Sequence, residues 1–289
     1  MRKQYWITLL FMALLLLSAL VSPIALPAQM QGSLLILPFT GSQPDHAREL
    51  AISFGYIGVL MQDIDDLQYI NQRMWEIWRN VFAKIGVLLP DSFPDQMDIS
   101  NSIDIGFELD ATHVITGHIT TIGGRNIVLL SLIDLYTQQL ISGYYKQYTR
   151  FEELNIIEIA SQFAKSASVD TNSFPGLVVP FPVIRSGNPE EQALLTQVLC
   201  YELANSERFA IFPMDYDMTR RYFTEEFYFD ELIMLISIKS KRTTTTFTVD
   251  IYDMELYHLD YAEKTYSNFA EGLVRMPRLA QELIERIME

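Results

Sequence analysis

Cysteine is almost missing from this chain of 289 residues, with Cys200 the single one. That excludes an intrachain disulfide and any multi-cysteine metal site. Its setting, TQVLCYEL, is an apolar helical face, where a thiol is expected to be buried and inert. Positive charge is also scarce, with 21 Lys and Arg against 36 Asp and Glu and a formal charge of −15. Binding along a phosphate backbone draws on clustered basic side chains, so no nucleic-acid partner is expected. Histidines number four. His113 and His118 fall on one predicted strand five residues apart, so alternation sends them to opposite faces and they cannot share a metal. His46, near a helix start, and His258, near a strand turn, read as surface or satisfied polar residues. No G-x-S-x-G elbow, Walker loop or dinucleotide glycine pattern is present. Asp63, Asp65 and Asp66 lack the glycine and glutamate of a calcium loop and read as a solvated turn. No pair of carboxylates stands out as a catalytic dyad. No catalytic residue, metal or cofactor is therefore assigned.

What the chain does have is apolar mass: 49% hydrophobic residues and 12% aromatics, enough to fill two cores. The one long hydrophobic run is at the N-terminus. Arg2 and Lys3 precede an apolar stretch from Tyr5 to Val21, the layout of a secretory signal, with a cut expected after Ala28. The stretch continues with few breaks to Leu26, so an uncleaved inner-membrane anchor over residues 5–26 is the alternative. No cysteine follows it to carry a lipid. Either way the chain from Gln31 onward faces the outside of the inner membrane.

The order of the chain centres on residues 105–149. Val114, Thr116, His118 and Thr120 alternate with Ile115, Gly117 and Ile119. Gly123-Gly124 supplies a tight turn, Ile127 to Leu135 a second strand, and Leu140 to Tyr148 a third, which together predict an antiparallel meander. Upstream, Leu34 to Phe39 reads as a strand buried on both faces. Asp45 is expected to cap a helix starting near His46. Leu67 to Ile70 is a short strand, Arg73 to Ile85 a helix, Gly86 to Asp98 a Pro-bearing loop, and Ile99 to Leu109 a helix into the meander. Phe151 to Ala167 is helical, with Leu154, Ile157, Ile159, Ala160 and Phe163 inward.

The plan then repeats. GLVVPF at Gly176 to Phe181 matches GSLLILPF, and Pro189 to Asn205 stands where the first helix stood, with Leu194, Leu195, Val198, Leu199 and Leu203 on one face. Phe209 to Pro213 is the short strand. Glu231 to Ser240, Arg242 to Asp253 and Leu259 to Tyr266 are three strands, with Thr243 to Thr246 counted as sheet, and Phe269 to Ile287 is a closing helix. SLID at Ser131 to Asp134 aligns with DIYD at Asp250 to Asp253. The fold class is α+β, with two tandem small mixed-sheet domains, each β-α-β-α followed by a three-strand antiparallel meander and a closing helix. The expected boundaries are 1–28 for the signal, 32–168 for the first domain, 169–175 for a linker and 176–289 for a shortened second domain.

The order of elements resembles the TolB amino-terminal-like domain of bacterial envelope proteins. Leu109, Thr112, Val114, Ile115, Gly117 and Ile119 fit its first strand motif, and Leu132, Ile133, Asp134 and Thr137 fit the strand closed by LIDxxT. The likeness covers about Gly32 to Ala167, with the second half matching in layout more than in letters. No β-propeller follows the domain, so the match is to the domain and not to TolB. The resemblance implies export and a non-catalytic part in protein assemblies of the envelope, and carries over no catalytic residues.

One stretch is singled out for partner binding. Tyr216, Arg220, Arg221, Tyr222, Phe223, Phe227, Tyr228 and Phe229 combine aromatics with arginine, the mixture that protein interfaces enrich; the bland reading is core filling. The expectation is an exported, non-enzymatic binding or scaffolding protein of the periplasm, with envelope proteins as partners and membrane contact only through an uncleaved N-terminal segment. The alternative is a periplasmic small-ligand sensor or hydrolase with its site between the two domains.

Overall fold

The structure is a computed structural model that describes residues 34–37, 39–47, 49–51, 53, 67–69, 99–167, 177–212, 231–253 and 257–288. The N-terminal segment, the turn expected at Asp63 to Asp66, the helix expected over Arg73 to Ile85 and the stretch Tyr216 to Phe229 lie outside the described residues. None of the described helices is long and apolar enough to cross a membrane.

The fold is α+β around a mixed sheet. β1 (Leu34–Ile36) pairs in parallel with β3 (Leu67–Tyr69) and with β4 (His113–Ile122), while β2 (Thr40–Gly41) adds to β4 further along. β1 is buried on both faces, which explains its unbroken apolar letters. β4, β5 (Arg125–Asp134) and β6 (Gln139–Tyr148) form the antiparallel meander. Gly123 and Gly124 turn the first hairpin at φ of 59° and 76°, a left-handed pair that two glycines adopt without strain. Asp134 fixes the second reversal, because its Oδ1 accepts the Thr137 N–H at 2.9 Å.

The second half repeats this order. β7 (Leu177–Ser186) lies between β8 (Ala210–Ile211) and β9 (Glu231–Ser240), all parallel, and β9 continues into β10 (Thr245–Tyr252) and β11 (His258–Tyr266) as an antiparallel meander. The first unit runs β3-β1-β4-β5-β6 and the second β8-β7-β9-β10-β11, joined where β8 pairs antiparallel with β6 at Leu140 and Ile211. Both units therefore belong to one continuous sheet with the same lateral order and opposite strand directions. Such a relation turns the sheet over, so equivalent helices fall on opposite faces.

The cores show that inversion. In the first unit the helical turns from residue 44 and α2 (Ile156–Ala167) bury Ala47, Leu50, Ile159 and Phe163 against Ile115, Ile119, Val128 and Leu130. On the other face α1 (Ile99–Glu108), α3 (Pro189–Asn205) and α4 (Phe269–Met288) share a larger core with Leu35, Val114, Leu129 and Ile133 of the first unit and Ile236, Phe247 and Val249 of the second. α3 belongs to the second unit and covers the open face of the first. It is held there by Tyr201, whose ring lies on Gly143 and whose Oη meets Ser131 Oγ at 2.8 Å. Asn205 adds a two-point pairing with the edge of β6: its Oδ1 accepts from Gly143 N at 3.0 Å and its Nδ2 donates to Gly143 O at 2.7 Å. The exposed ion pair Lys165–Glu207 also crosses the joint, but pairs of that kind contribute about 0–1 kcal/mol, so the apolar core and the Asn205 bonds dominate.

Several local expectations are corrected. The first helix opens at residue 44, with Ala47 N donating to Gln43 O, so Asp45 sits inside the first turn and is not the cap; Pro44 is preorganised for that opening position. The helix expected over Phe151 to Ala167 is split into a 3₁₀ turn at Phe151–Glu153 and α2, and Ile157 is exposed because the inward stripe runs through Ile159, Ala160 and Phe163. β7 runs to Ser186 through Pro180 and Pro182. The two prolines share strand parity, and β8 flanks β7 only at Leu177 and Val178, so no ladder partner on that flank loses a bond. Thr243 and Thr244 belong to the turn closed by Lys241 N to Thr244 O, and only Thr245 and Thr246 enter the sheet. α3 is buried on more than one side, with Cys200, Tyr201 and Ala204 covered as well as the leucines.

Candidate functional site

β9, β10 and β11 alternate in register, which places Met234, Ile236, Ile238, Phe247, Val249, Ile251, Ala262 and Tyr266 on the face under α3 and α4. Thr246, Thr248, Asp250 and Tyr252 of β10 turn to the other face and are half-buried. Beside them stand Tyr261, Glu263 and Thr265 of β11, all exposed. One end of this face is aromatic. A register shift after Ile251 lets His258 stand opposite Tyr252, and its ring lies 5.2 Å from the Tyr252 ring, edge-on, and 6.3 Å from that of Tyr261. His258 Nε2 is 3.2 Å from Asp250 Oδ1, which orients the imidazole. Next to it Tyr257 is 65% exposed, Leu259 53% and Tyr261 55%. Asp253 holds the turn beneath, its Oδ1 accepting the Tyr257 N–H at 2.9 Å.

Three large hydrophobic side chains exposed within five residues are unusual for a solvated sheet face, and two of them, Leu259 and Tyr261, stand on β11 itself. Its chemistry is that of contact. Asp260, at the sheet edge, is held below the usual carboxylate range by the Tyr261 N–H and by Arg286.

The other sequence-predicted histidines are satisfied structurally. His46 Nδ1 meets Tyr148 Oη at 3.1 Å and its ring packs by Phe151. His113 is buried beside Thr112 Oγ1, and His118 reaches Thr40 Oγ1 at 3.0 Å. Burial pushes the His113 value down against the pull of Asp134. Cys200 is fully enclosed in α3, and burial pushes its thiol up to about 12, so the thiolate that would react is not formed near neutral pH. Among the described residues no three His, Cys, Asp or Glu side chains converge on a metal position. A depression of about 290 Å³ lies between the end of α3 and α4, lined by Ser206, Arg208, Gln281, Ile284, Glu285 and Met288. Its volume is at the lower bound of ordinary ligand pockets.

The partner-binding stretch Tyr216, Arg220, Arg221, Tyr222, Phe223, Phe227, Tyr228 and Phe229 is outside the described residues, so no geometry attaches to it. The patch at Tyr252, Tyr257, Leu259 and Tyr261 was not singled out by sequence reasoning. A signal for it was present: aromatic and aliphatic residues at both parities around a turn cannot all face one core.

No family model and no curated protein matches the chain. Among solved structures, the LpoB C-terminal domain from Salmonella enterica overlaps at 14% identity and a TM-score of 0.29, covering 41% of this chain and 84% of that one. The LpoB C-terminal domain from Escherichia coli overlaps at 12% identity and 0.28, covering 42% and 85%. The PelC dodecamer from Paraburkholderia phytofirmans overlaps at 11% identity and 0.26, covering 49% and 87%.

Proposed function

We propose that this chain is an exported, non-enzymatic component of the bacterial cell envelope that works by protein contact, and that the aromatic end of the second unit's open sheet face is its docking surface. The observation that carries the reading is the exposure of Tyr257, Leu259 and Tyr261 around an oriented His258 at the start of β11. Aromatic anchors of this kind supply most of the energy of protein interfaces. The N-terminal signal layout gives the compartment.

The TolB amino-terminal-like resemblance supports the envelope setting. Two of the residues that carry it have structural tasks: Gly117 leaves no room for a side chain between Phe39 and Leu130, and Asp134 closes its turn onto Thr137. The stretch Tyr216 to Phe229 is a second candidate contact region within the same reading.

A photo-reactive residue placed at Tyr257 in the full chain, followed by crosslinking in intact cells, tests the proposal. The expected result is a discrete envelope protein captured from that position and not from Arg150 on the first unit. Its yield should fall on Leu259→Ser. A parallel chain with Phe227→Ser and Phe229→Ser reports whether the second region adds to the contact. Equal capture from both positions, or turnover of a small substrate abolished by one point substitution, would overturn the reading.

A further inference from the structure

The two units share a turn chemistry that fixes their correspondence residue by residue. Asp134 and Asp253 each accept a backbone N–H to close the reversal after the middle strand. Ser131 therefore corresponds to Asp250. Through the pairings Ser131 with Gly143 and Asp250 with Tyr261, Gly143 corresponds to Tyr261; through Leu132 with Ser142 and Ile251 with Asp260, Ser142 corresponds to Asp260.

In the first unit these positions receive the next unit. Gly143 is small enough to lie under the Tyr201 ring, where even a methyl group would overlap it. Its outward N–H and C=O are paired by Asn205 of the following unit, and Ser142 Oγ also donates to Asn205 Oδ1 at 2.8 Å. β8 then extends the sheet from β6.

In the second unit the same positions are filled from within that unit. The Tyr261 N–H donates to Asp260 Oδ1 at 2.7 Å, and the Tyr261 carbonyl accepts from Arg286 Nη1 of α4 at 3.0 Å. Arg286 Nη1 also reaches both Asp260 oxygens at 3.1 Å, so the two side chains form one clasp over the edge. The Tyr261 side chain occupies the place that in the first unit admits Tyr201. Along the rest of the edge, alternation turns the backbone groups of Glu263 and Thr265 outward, beside a Lys264–Glu282 ion pair of 2.8 Å. Inserted charge and blocked backbone groups are the means by which proteins prevent edge strands from pairing.

We propose that the Asp260–Arg286 clasp and Tyr261 are a built terminator, which closes β11 against a second copy of this chain. The copy would otherwise add the β3 edge of its first unit to β11 as β8 adds to β6. β3 is the last strand of the sheet order among the described residues, and it corresponds to β8. The internal joint thus supplies the template for the contact that the terminator forbids. This goes beyond the docking reading, since it concerns how the edge of β11 is closed, although Tyr261 belongs to both.

Sedimentation velocity of the full chain in mild detergent, with a photo-reactive residue at Gln68, decides it. The clasp-intact chain is expected to sediment as one species that does not change with concentration. The variant Asp260→Ser, Tyr261→Gly, Arg286→Ala is expected to form larger species with concentration and to raise intermolecular crosslinks at least about tenfold. Those crosslinks should map to the peptide holding His258–Tyr261. Arg286→Ala alone, which touches only an exposed side chain, is the second variant and is expected to give a smaller increase if the triple substitution unfolds the edge. Two results overturn the proposal: folded clasp-free chains that stay at one size, or a clasp-intact chain already crosslinked through β11. The Arg286→Ala chain keeps Tyr257, Leu259 and Tyr261, so its capture through Tyr257 is expected to equal that of the natural chain whatever its size, and the two proposals fail separately.

Discussion

Glu202 of α3 accepts a hydrogen bond from Tyr145 Oη at 2.8 Å across the joint, and burial, the larger influence, still holds its carboxyl above the usual carboxylate range. A raised value means that the folded chain binds more protons than the unfolded chain between the two values. Stability from this group is therefore full below the ordinary carboxylate value and falls as pH rises through the raised one. Glu202→Gln keeps an acceptor for Tyr145 and removes the buried charge. It is expected to melt higher than the natural chain at pH 7 and equally at pH 4, which thermal unfolding followed by circular dichroism at the two pH values checks; a lower melt at pH 7 would mean that the charged hydrogen bond outweighs burial. At this scale the sequence was readable where chemistry is local. TQVLCYEL announced a buried thiol, and five-residue spacing separated His113 from His118. The Glu202–Tyr145 bond was not readable, because its partners lie 57 positions apart.

The element on which the molecule turns is α3. A side chain added at position 143 has nowhere to go while Tyr201 lies there, and overpacking of this kind costs about 1–3 kcal/mol. Gly143→Ala is expected to lower the unfolding free energy by that amount, read from urea denaturation as a lower midpoint at unchanged slope. In a Tyr201→Leu background the added cost should be less than half, and a double-mutant cycle of the four chains measures the coupling. Periodicity located α3, β9 and α4 to within a residue or two, and the two helices also have a clear start: Asn188 caps α3 by accepting from Glu190 N and Glu191 N, and Asn268 accepts from Glu271 N at the start of α4. It erred where a short-range bond overrode the pattern. Asn155 restarts the helix after the 3₁₀ turn, and the Lys241 to Thr244 turn withdraws two threonines from the strand.

For the whole molecule, the shared core predicts joint unfolding. Val114, Leu129 and Ile133 of the first unit and the α3 leucines of the second are members of one cluster. The full chain is expected to unfold in a single calorimetric transition, with the calorimetric and van't Hoff enthalpies equal. Residues 32–168 alone are expected to bind a hydrophobic dye and to melt well below the full chain; two separated transitions in the full chain would contradict this.

The sequence by itself determined the α+β class, the order of elements and the repeated plan, because alternation, turn glycines, caps and the paired Asp134 and Asp253 act over a few residues. It also set the acidic balance and the signal layout. Only the tertiary structure decided that the two units share one sheet, that the second is turned over relative to the first, and that α3 fills its neighbour's open face. Those outcomes depend on one strand pairing at Leu140 and Ile211 and on Tyr201 meeting Gly143, contacts between residues far apart in the chain. The same long-range arrangement leaves Tyr257, Leu259 and Tyr261 uncovered and closes the edge beside them with Arg286.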